Sequence, residues 1–131
     1  MDENDFNIVI YIKRLNFKVL DTLKLFPNRE KILRDNLTSE CFNILKYTYY
    51  ANSLDLTDKN RFYYQDKVLI GIYMIDYYIS IAYHYKYISE KRNKEINTLL
   101  REISRMTKGW ISYGRSKSET SVWFIHEWIK I

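Results

Sequence analysis

Residues 90–111 read EKRNKEINTLLREISRMTKGWI, and this stretch decides the fold class of the chain. Its apolar side chains recur at steps of three and four residues: Ile96, Leu99, Leu100, Ile103, Met106, Trp110 and Ile111. This spacing places them on one face of an α-helix. Ser89 directly precedes the stretch, and serine is a favoured N-cap residue. We therefore predict a helix that begins there and buries one face.

Three earlier segments show the same periodicity. The first contains Ile8, Ile12, Leu15, Val19, Leu23 and Phe26. The second contains Leu33, Leu37, Cys41, Ile44, Leu45, Thr48 and Ala51. The third, predicted over roughly 59–88, contains Tyr64, Val68, Leu69, Ile72, Ile75, Ile79, Ala82 and Tyr83. Pro27 is expected to end the first helix, Asn28 to cap the second, and Thr57 or Asp58 to cap the third.

Turn residues are scarce, because the 131 residues include 3 glycines and 1 proline. A β-sandwich or barrel needs such residues every few positions. We therefore predict an all-α chain whose residues 1–117 form an antiparallel, up-down-up-down four-helix bundle. The segment from Gly114 to Ser118 is expected to be a polar linker, and 118–131 an aromatic tail. This tail packs on a bundle or binds a partner protein through Trp123, Phe124 and Trp128.

The net charge of +5 is unevenly distributed. Residues 1–60 are balanced, so the whole basic excess lies in residues 61–131. The basic residues of the fourth helix and the segment after it are Lys91, Arg92, Lys94, Arg101, Arg105, Lys108, Arg115 and Lys117, and the first helix adds Lys13, Arg14 and Lys18. Arg101, Arg105 and Lys108 share one helix face, which can follow the phosphates of a nucleic acid. The alternative is a solvated face with Glu95 and Glu102 as local partners.

Residues for catalysis are few. The two histidines and the single cysteine lack the spacing of a zinc site. Neither His84 nor His126 has a glutamate three residues before it, as di-iron bundles require. No glycine-rich phosphate loop is present. We predict a protein that is not an enzyme and has no metal and no cofactor. Asp76 is then a polar residue at the edge of the bundle, or part of a buried network or subunit interface.

Cysteine and hydropathy suggest a compartment. Cys41 is the only cysteine, so no internal disulfide forms and a cytoplasmic location is expected, with Cys41 in the core. The acidic start of the chain does not resemble a signal peptide. No uncharged run approaches the ~18 residues of a transmembrane helix, so no membrane association is expected.

Tyrosines surround the third helix, so they cannot all face one core. Exposed positions such as Tyr73 and Tyr77 then form an interface between subunits, which predicts a homo-oligomer, or stack on nucleic-acid bases.

The run from Arg101 to Ile111 resembles the signature ending of the accessory variability determinant (Avd) family, the four-helix-bundle accessory proteins of diversity-generating retroelements. The residues that fit are Glu102, Ile103, Arg105, Met106, Gly109, Trp110 and Ile111, whereas Ser104, Thr107 and Lys108 depart from the pattern. Residues 26–31, FPNREK, also resemble the first helical junction of that family. The order of the four helices agrees over 6–113.

This resemblance implies a homopentameric barrel of bundles with a basic surface. Such a protein binds a reverse transcriptase and its template RNA and supports mutagenic cDNA synthesis. Glu102, Arg105, Gly109 and Trp110 then belong to the family motif, with Trp110 in core or interface packing and Arg105 in an interface pair or polyanion contact. Proteins encoded by intervening sequences in ribosomal RNA genes are similar bundles. They imply the alternative of a scaffold without a reverse transcriptase partner.

Overall fold

The computed structural model describes the backbone of residues 3–130 and the side chains of residues 7–117. This part of the chain contains four helices and no strand: α1 (Glu3–Leu23), α2 (Lys31–Asn52), α3 (Lys59–His84) and α4 (Glu90–Lys130). The predicted all-α class is therefore confirmed.

The four helices form a bundle in which each helix touches two others. α1 and α3 both pack against α2 and α4, whereas the two diagonal pairs make no contact along their described lengths. The connections 24–30 and 85–89 meet at one end of the bundle. There, the ring centroids of Phe26 and Tyr87 lie 5.8 Å apart, and the Tyr87 hydroxyl donates to Glu30 over 2.7 Å. Successive helices are thus antiparallel, as short connections require.

The core consists of the apolar stripes that the periodicity predicted. All six predicted positions of α1 are buried, and Cys41, Ile44, Ile75 and Ile103 are fully inaccessible. Burial raises the pKa of the Cys41 thiol to about 12, which keeps it protonated and chemically inert. One predicted core residue is wrong, because Tyr83 lies on the solvent side of α3.

Two of the predicted helix caps are present in the structure, and one is not. The carboxylate of Asp58 accepts from the backbone N–H of Asn60 over 2.8 Å, and the Ser89 hydroxyl accepts from the N–H of Arg92 over 3.1 Å. Both caps are therefore confirmed. Asn28 as the cap of α2 is wrong, since Glu30 occupies that position without a side-chain cap. The guanidinium of Arg34 instead binds the carbonyls of Pro27 and Asn28.

Two helix lengths differ from the prediction. α3 ends at His84 rather than near 88, because Lys86 takes a left-handed φ of 63° and Tyr87 turns onto Phe26. α4 has 41 residues and continues through 114–118, so the expected linker is helical. Gly114 is buried there beside Arg61 and Gln65. The packing predicted for the aromatic side chains of the tail lies outside the described residues.

Two helical glycines occupy opposite environments. Gly71 lies where α3 approaches α2, and a Cβ added to it would collide with the Cγ2 of buried Ile44. Gly109 lies on the exposed face of α4, where an added Cβ meets nothing within 4 Å. Only Gly71 is therefore required for close packing between helices.

We expect Gly71→Ala to lower the free energy of unfolding by about 1–2 kcal/mol. The overpacking cost of roughly 1–3 kcal/mol outweighs the helix-propensity gain of up to about 1 kcal/mol. Gly109→Ala is the matched control and should raise stability, since it gains propensity without a clash. Urea denaturation measures both changes, and equal effects of the two substitutions would contradict the close approach at Gly71.

Buried polar side chains gather where α3 meets α4, near the connection 53–58. Arg61, Gln65, Thr107 and Trp110 are all buried there, and each has a polar atom without a hydrogen-bond partner among the described residues. Arg61 donates to the carbonyls of Ala51 (3.1 Å) and Leu54 (3.3 Å) at the C-terminal end of α2, where the helix dipole favours a cation. Gln65 is fully inaccessible, and neither polar atom of its amide is paired.

Replacing Gln65 with leucine should therefore raise the free energy of unfolding by about 1–3 kcal/mol, since a buried unpaired amide costs that much. Asn36→Leu on the exposed face of α2 is the control and should change it by less than about 0.5 kcal/mol. Thermal denaturation followed by circular dichroism measures both. A destabilised Gln65→Leu variant would reveal that the amide is hydrogen-bonded in solution, for example by a buried water.

No helix in the part of the chain searched combines the length and the apolar character needed to cross a bilayer.

Candidate nucleic-acid interface

The basic residues of α4 lie on the side opposite its core stripe. Ile96, Ile103 and Trp110 face inward, so residues half a turn away face solvent. The exposed members of the set predicted to bind nucleic acid on this helix are Lys91, Lys94, Arg101, Arg105, Lys108, Arg115 and Lys117, and Arg92 is half-buried. The geometry thus brings Lys94, Arg101, Arg105 and Lys108 onto one continuous outer face.

Carboxylates within α4 neutralise part of this face. The Lys94 ammonium lies 3.1 Å from the carboxylate of Glu90. Arg105 forms a charge-assisted hydrogen bond with Glu102, one turn earlier, which raises the pKa of Arg105 and lowers that of Glu102. These pairs fit the solvated-face alternative for two of the four residues.

Arg101 and Lys108 remain without a carboxylate partner among the described residues. Both are exposed. The Lys108 ammonium lies 5.7 Å from the centroid of the Tyr73 ring on α3, within the range of a cation–π contact. A guanidinium and an ammonium separated by seven residues lie about 10 Å apart along the helix axis. They are therefore the uncompensated charges of the outer face.

The three predicted basic residues of α1 differ in whether their charge is free or paired with a carboxylate. Lys13 and Arg14 are exposed, and the Arg14 guanidinium lies 5.1 Å from the centroid of Tyr11. Arg14 lies one helical turn before Lys18 and therefore on the side of α1 that packs against α4. Lys18 instead forms an ion pair with Glu95 of α4 at 2.5 Å, which joins the two helices.

The ends of the predicted patch are engaged in other contacts. The Arg115 guanidinium binds the Asp66 carboxylate of α3 at 3.0 Å and lies over the ring of Phe62. Lys117 lies 5.7 Å from the ring centroid of Tyr113. The hydrogen bond from Lys18 is the main cause of the lowered pKa of the Glu95 carboxyl, and the charges of Lys91 and Arg92 lower it further. Of these residues, Arg115 is paired with a carboxylate and is thus less free to bind a ligand than Arg101 and Lys108.

The residues of the family motif occupy three different environments. Glu102 and Arg105 form the surface pair described above. Trp110 is buried with its ring 5.6 Å from the Arg61 guanidinium, which agrees with core packing. Gly109 is exposed. Tyr73 and Tyr77 on α3 have 48% and 58% of their surface exposed, so this chain alone leaves them uncovered.

A groove of about 380 Å³ lies between α3 and α4 beside Arg101. Its lining residues are Ile72, Tyr73, Asp76, Asn97, Leu100, Arg101 and Ser104. Asp76 is exposed, which agrees with a polar residue at the bundle edge. Sequence reasoning missed Asn97 and Ser104. Their position in the helix could have indicated them, because both lie one turn from the core residue Leu100, on the side of α4 that turns toward α3.

Groups that could hold a metal ion are absent from the searched residues, where no three histidine, cysteine or carboxylate side chains cluster. His84 is exposed and lies against Tyr85, with ring centroids 4.9 Å apart.

Comparisons with protein-family models, with curated proteins and with solved structures found no match.

Proposed function

We propose that this protein is a non-catalytic, RNA-binding accessory subunit of a diversity-generating retroelement. The observation that carries the RNA-binding part is the exposed pair Arg101 and Lys108, which has no carboxylate partner among the described residues. Uncompensated cations on an outer helix face attract a phosphate backbone and release its counterions on binding. Arg14 on α1, one helical turn before the residue that pairs with α4, extends the same positive surface.

The remaining parts of the proposal rest on the motif resemblance at 101–111. It supports a reverse transcriptase and its template RNA as partners, and mutagenic cDNA synthesis as the process. Two structural features are compatible with it: four helices in the expected order, and a buried Trp110 at the motif position.

Assembly into a homo-oligomer is supported by apolar side chains that the chain leaves uncovered. Ile70 and Tyr77, which are seven residues apart and so share one face of α3, are exposed, as are Phe17 on α1 and Phe42 on α2. An exposed apolar surface of this kind is typical of contacts between proteins. The resemblance specifies five copies arranged as a barrel.

Charge reversal at Arg101→Glu and Lys108→Glu should weaken binding to single-stranded RNA. The slope of log affinity against log salt concentration is negative, and loss of two phosphate contacts should reduce its magnitude by about 1.4. Fluorescence anisotropy at several salt concentrations measures this slope. The matched control is Lys31→Glu with Lys46→Glu, which changes the net charge equally on α2, diagonal to α4. If both double variants weaken binding equally, the affinity reflects net charge rather than the α4 face.

Light scattering of the purified protein should give the mass of five copies of the 16.1 kDa chain.

Co-expression with a reverse transcriptase encoded next to its gene should yield a stable complex that also retains RNA. An oligomer that binds neither the reverse transcriptase nor RNA would overturn the retroelement role. That result would favour the scaffold of the ribosomal-RNA intervening-sequence type.

A further inference from the structure

The groove between α3 and α4 has an apolar floor and polar walls. Ile72 and Leu100, both almost fully buried, form the floor. Tyr73 and Asp76 on α3 face Asn97, Arg101 and Ser104 on α4. A volume of about 380 Å³ falls within the range of small-ligand pockets. A few convergent polar groups above an apolar floor are the usual composition of such a site.

Two opposite charges line this groove without pairing. Asp76 and Arg101 both border it, yet no ion pair joins them, and neither has another partner among the described residues. Other cations on α4 do form pairs with carboxylates: Lys94 with Glu90, Arg105 with Glu102, and Arg115 with Asp66. Neither the carboxylate nor the guanidinium is engaged in an ion pair within the described part of the chain, so both remain free to contact a ligand in the groove.

The walls provide an aromatic ring and phosphate-binding cations. Tyr73 has about half of its surface exposed, and an aromatic side chain of this kind stacks on an unpaired base. The Lys108 ammonium lies 5.7 Å from the centroid of the same ring. Arg101 lines the groove and Lys108 lies over one face of Tyr73, so a base stacks on the other face and both cations can reach its flanking phosphates. The groove continues the outer face proposed above to bind RNA.

We propose that this groove binds an unpaired guanine base of a single-stranded RNA, which rests on the proposed RNA-binding function. An ionised carboxylate only accepts hydrogen bonds, and its two oxygens suit two neighbouring donors. Guanine alone presents two adjacent donors on its Watson–Crick edge, the N1–H and the N2 amino group. Adenine and cytosine each place an acceptor beside their amino group, and uracil places acceptors on both sides of its N3–H. Asp76 therefore selects guanine.

Each groove residue then has a defined contact. Asp76 accepts from the N1–H and the amino group of the base, while Tyr73 stacks on its face. Asn97 and Ser104 carry donors for the base acceptors O6 and N7 on the neighbouring Hoogsteen edge. Arg101 binds a flanking phosphate.

The test compares two short oligouridine RNAs that differ at a single central position, guanosine or adenosine. We expect the guanosine RNA to bind at least about fivefold more tightly, the lower end for a bidentate base contact. Asp76→Asn should abolish this preference, because an amide offers one acceptor in place of two. Asp35→Asn is the matched control, since it makes the same charge change on the exposed surface of α2. Anisotropy titrations at one salt concentration measure all combinations.

A second arm titrates the protein with guanosine monophosphate and with adenosine monophosphate while NMR follows the tyrosine and α3 amide signals. Selective shifts with the guanine nucleotide, lost in Asp76→Asn, are expected. Equal affinity for the two RNAs would overturn the guanine site and leave the RNA-binding function standing. Absence of all RNA binding would overturn the RNA-binding function. The mononucleotide titration would then be the remaining test of whether the groove binds guanine. No selective shift there would overturn the guanine site as well.

Discussion

Burial of the apolar stripe of α4 is the interaction on which the described surface depends. Ile96, Ile103 and Trp110 must leave water, so the helix can present only one side to solvent. The cations of α4 lie on the solvent side because they occupy the positions that the buried stripe leaves free. The same burial orients the side of α4 that turns toward α3, which carries Leu100 and Arg101. Core packing and the basic face are thus two consequences of one amphipathic pattern.

Charges on this surface divide into compensated and uncompensated groups. Lys18 with Glu95 and Arg115 with Asp66 connect α4 to its two neighbours, where they contribute to the arrangement of the helices. Exposed pairs of this type add little stability, typically up to about 1 kcal/mol. Their larger effect is on the charge of the surface, because each pair neutralises one cation. Arg101 and Lys108 remain, and both lie beside the α3–α4 groove.

Part of the buried interior is polar, and this distinguishes one end of the bundle from the other. At the 85–89 end, Tyr87 packs on Phe26 and pairs with Glu30. Near the 53–58 connection, Arg61 is held by the carbonyls at the end of α2 and by the ring of Trp110. Gln65 beside it has no partner among the described residues. A well-packed apolar end and an incompletely paired polar one therefore coexist in one core.

The sequence by itself determined the helix class, the core stripes and the caps at Asp58 and Ser89, because each depends on spacing or on neighbours within one turn. Tertiary structure decided the rest. It ended α3 at His84, since Tyr87 turns onto Phe26 in the connection between α1 and α2, and it kept 114–118 helical, since buried Gly114 packs beside α3. The sequence also could not show which cations are paired, because partners such as Asp66 and Arg115 lie 49 residues apart in the chain. The groove between Asp76 and Arg101 arises only where two helices, each regular by itself, lie side by side.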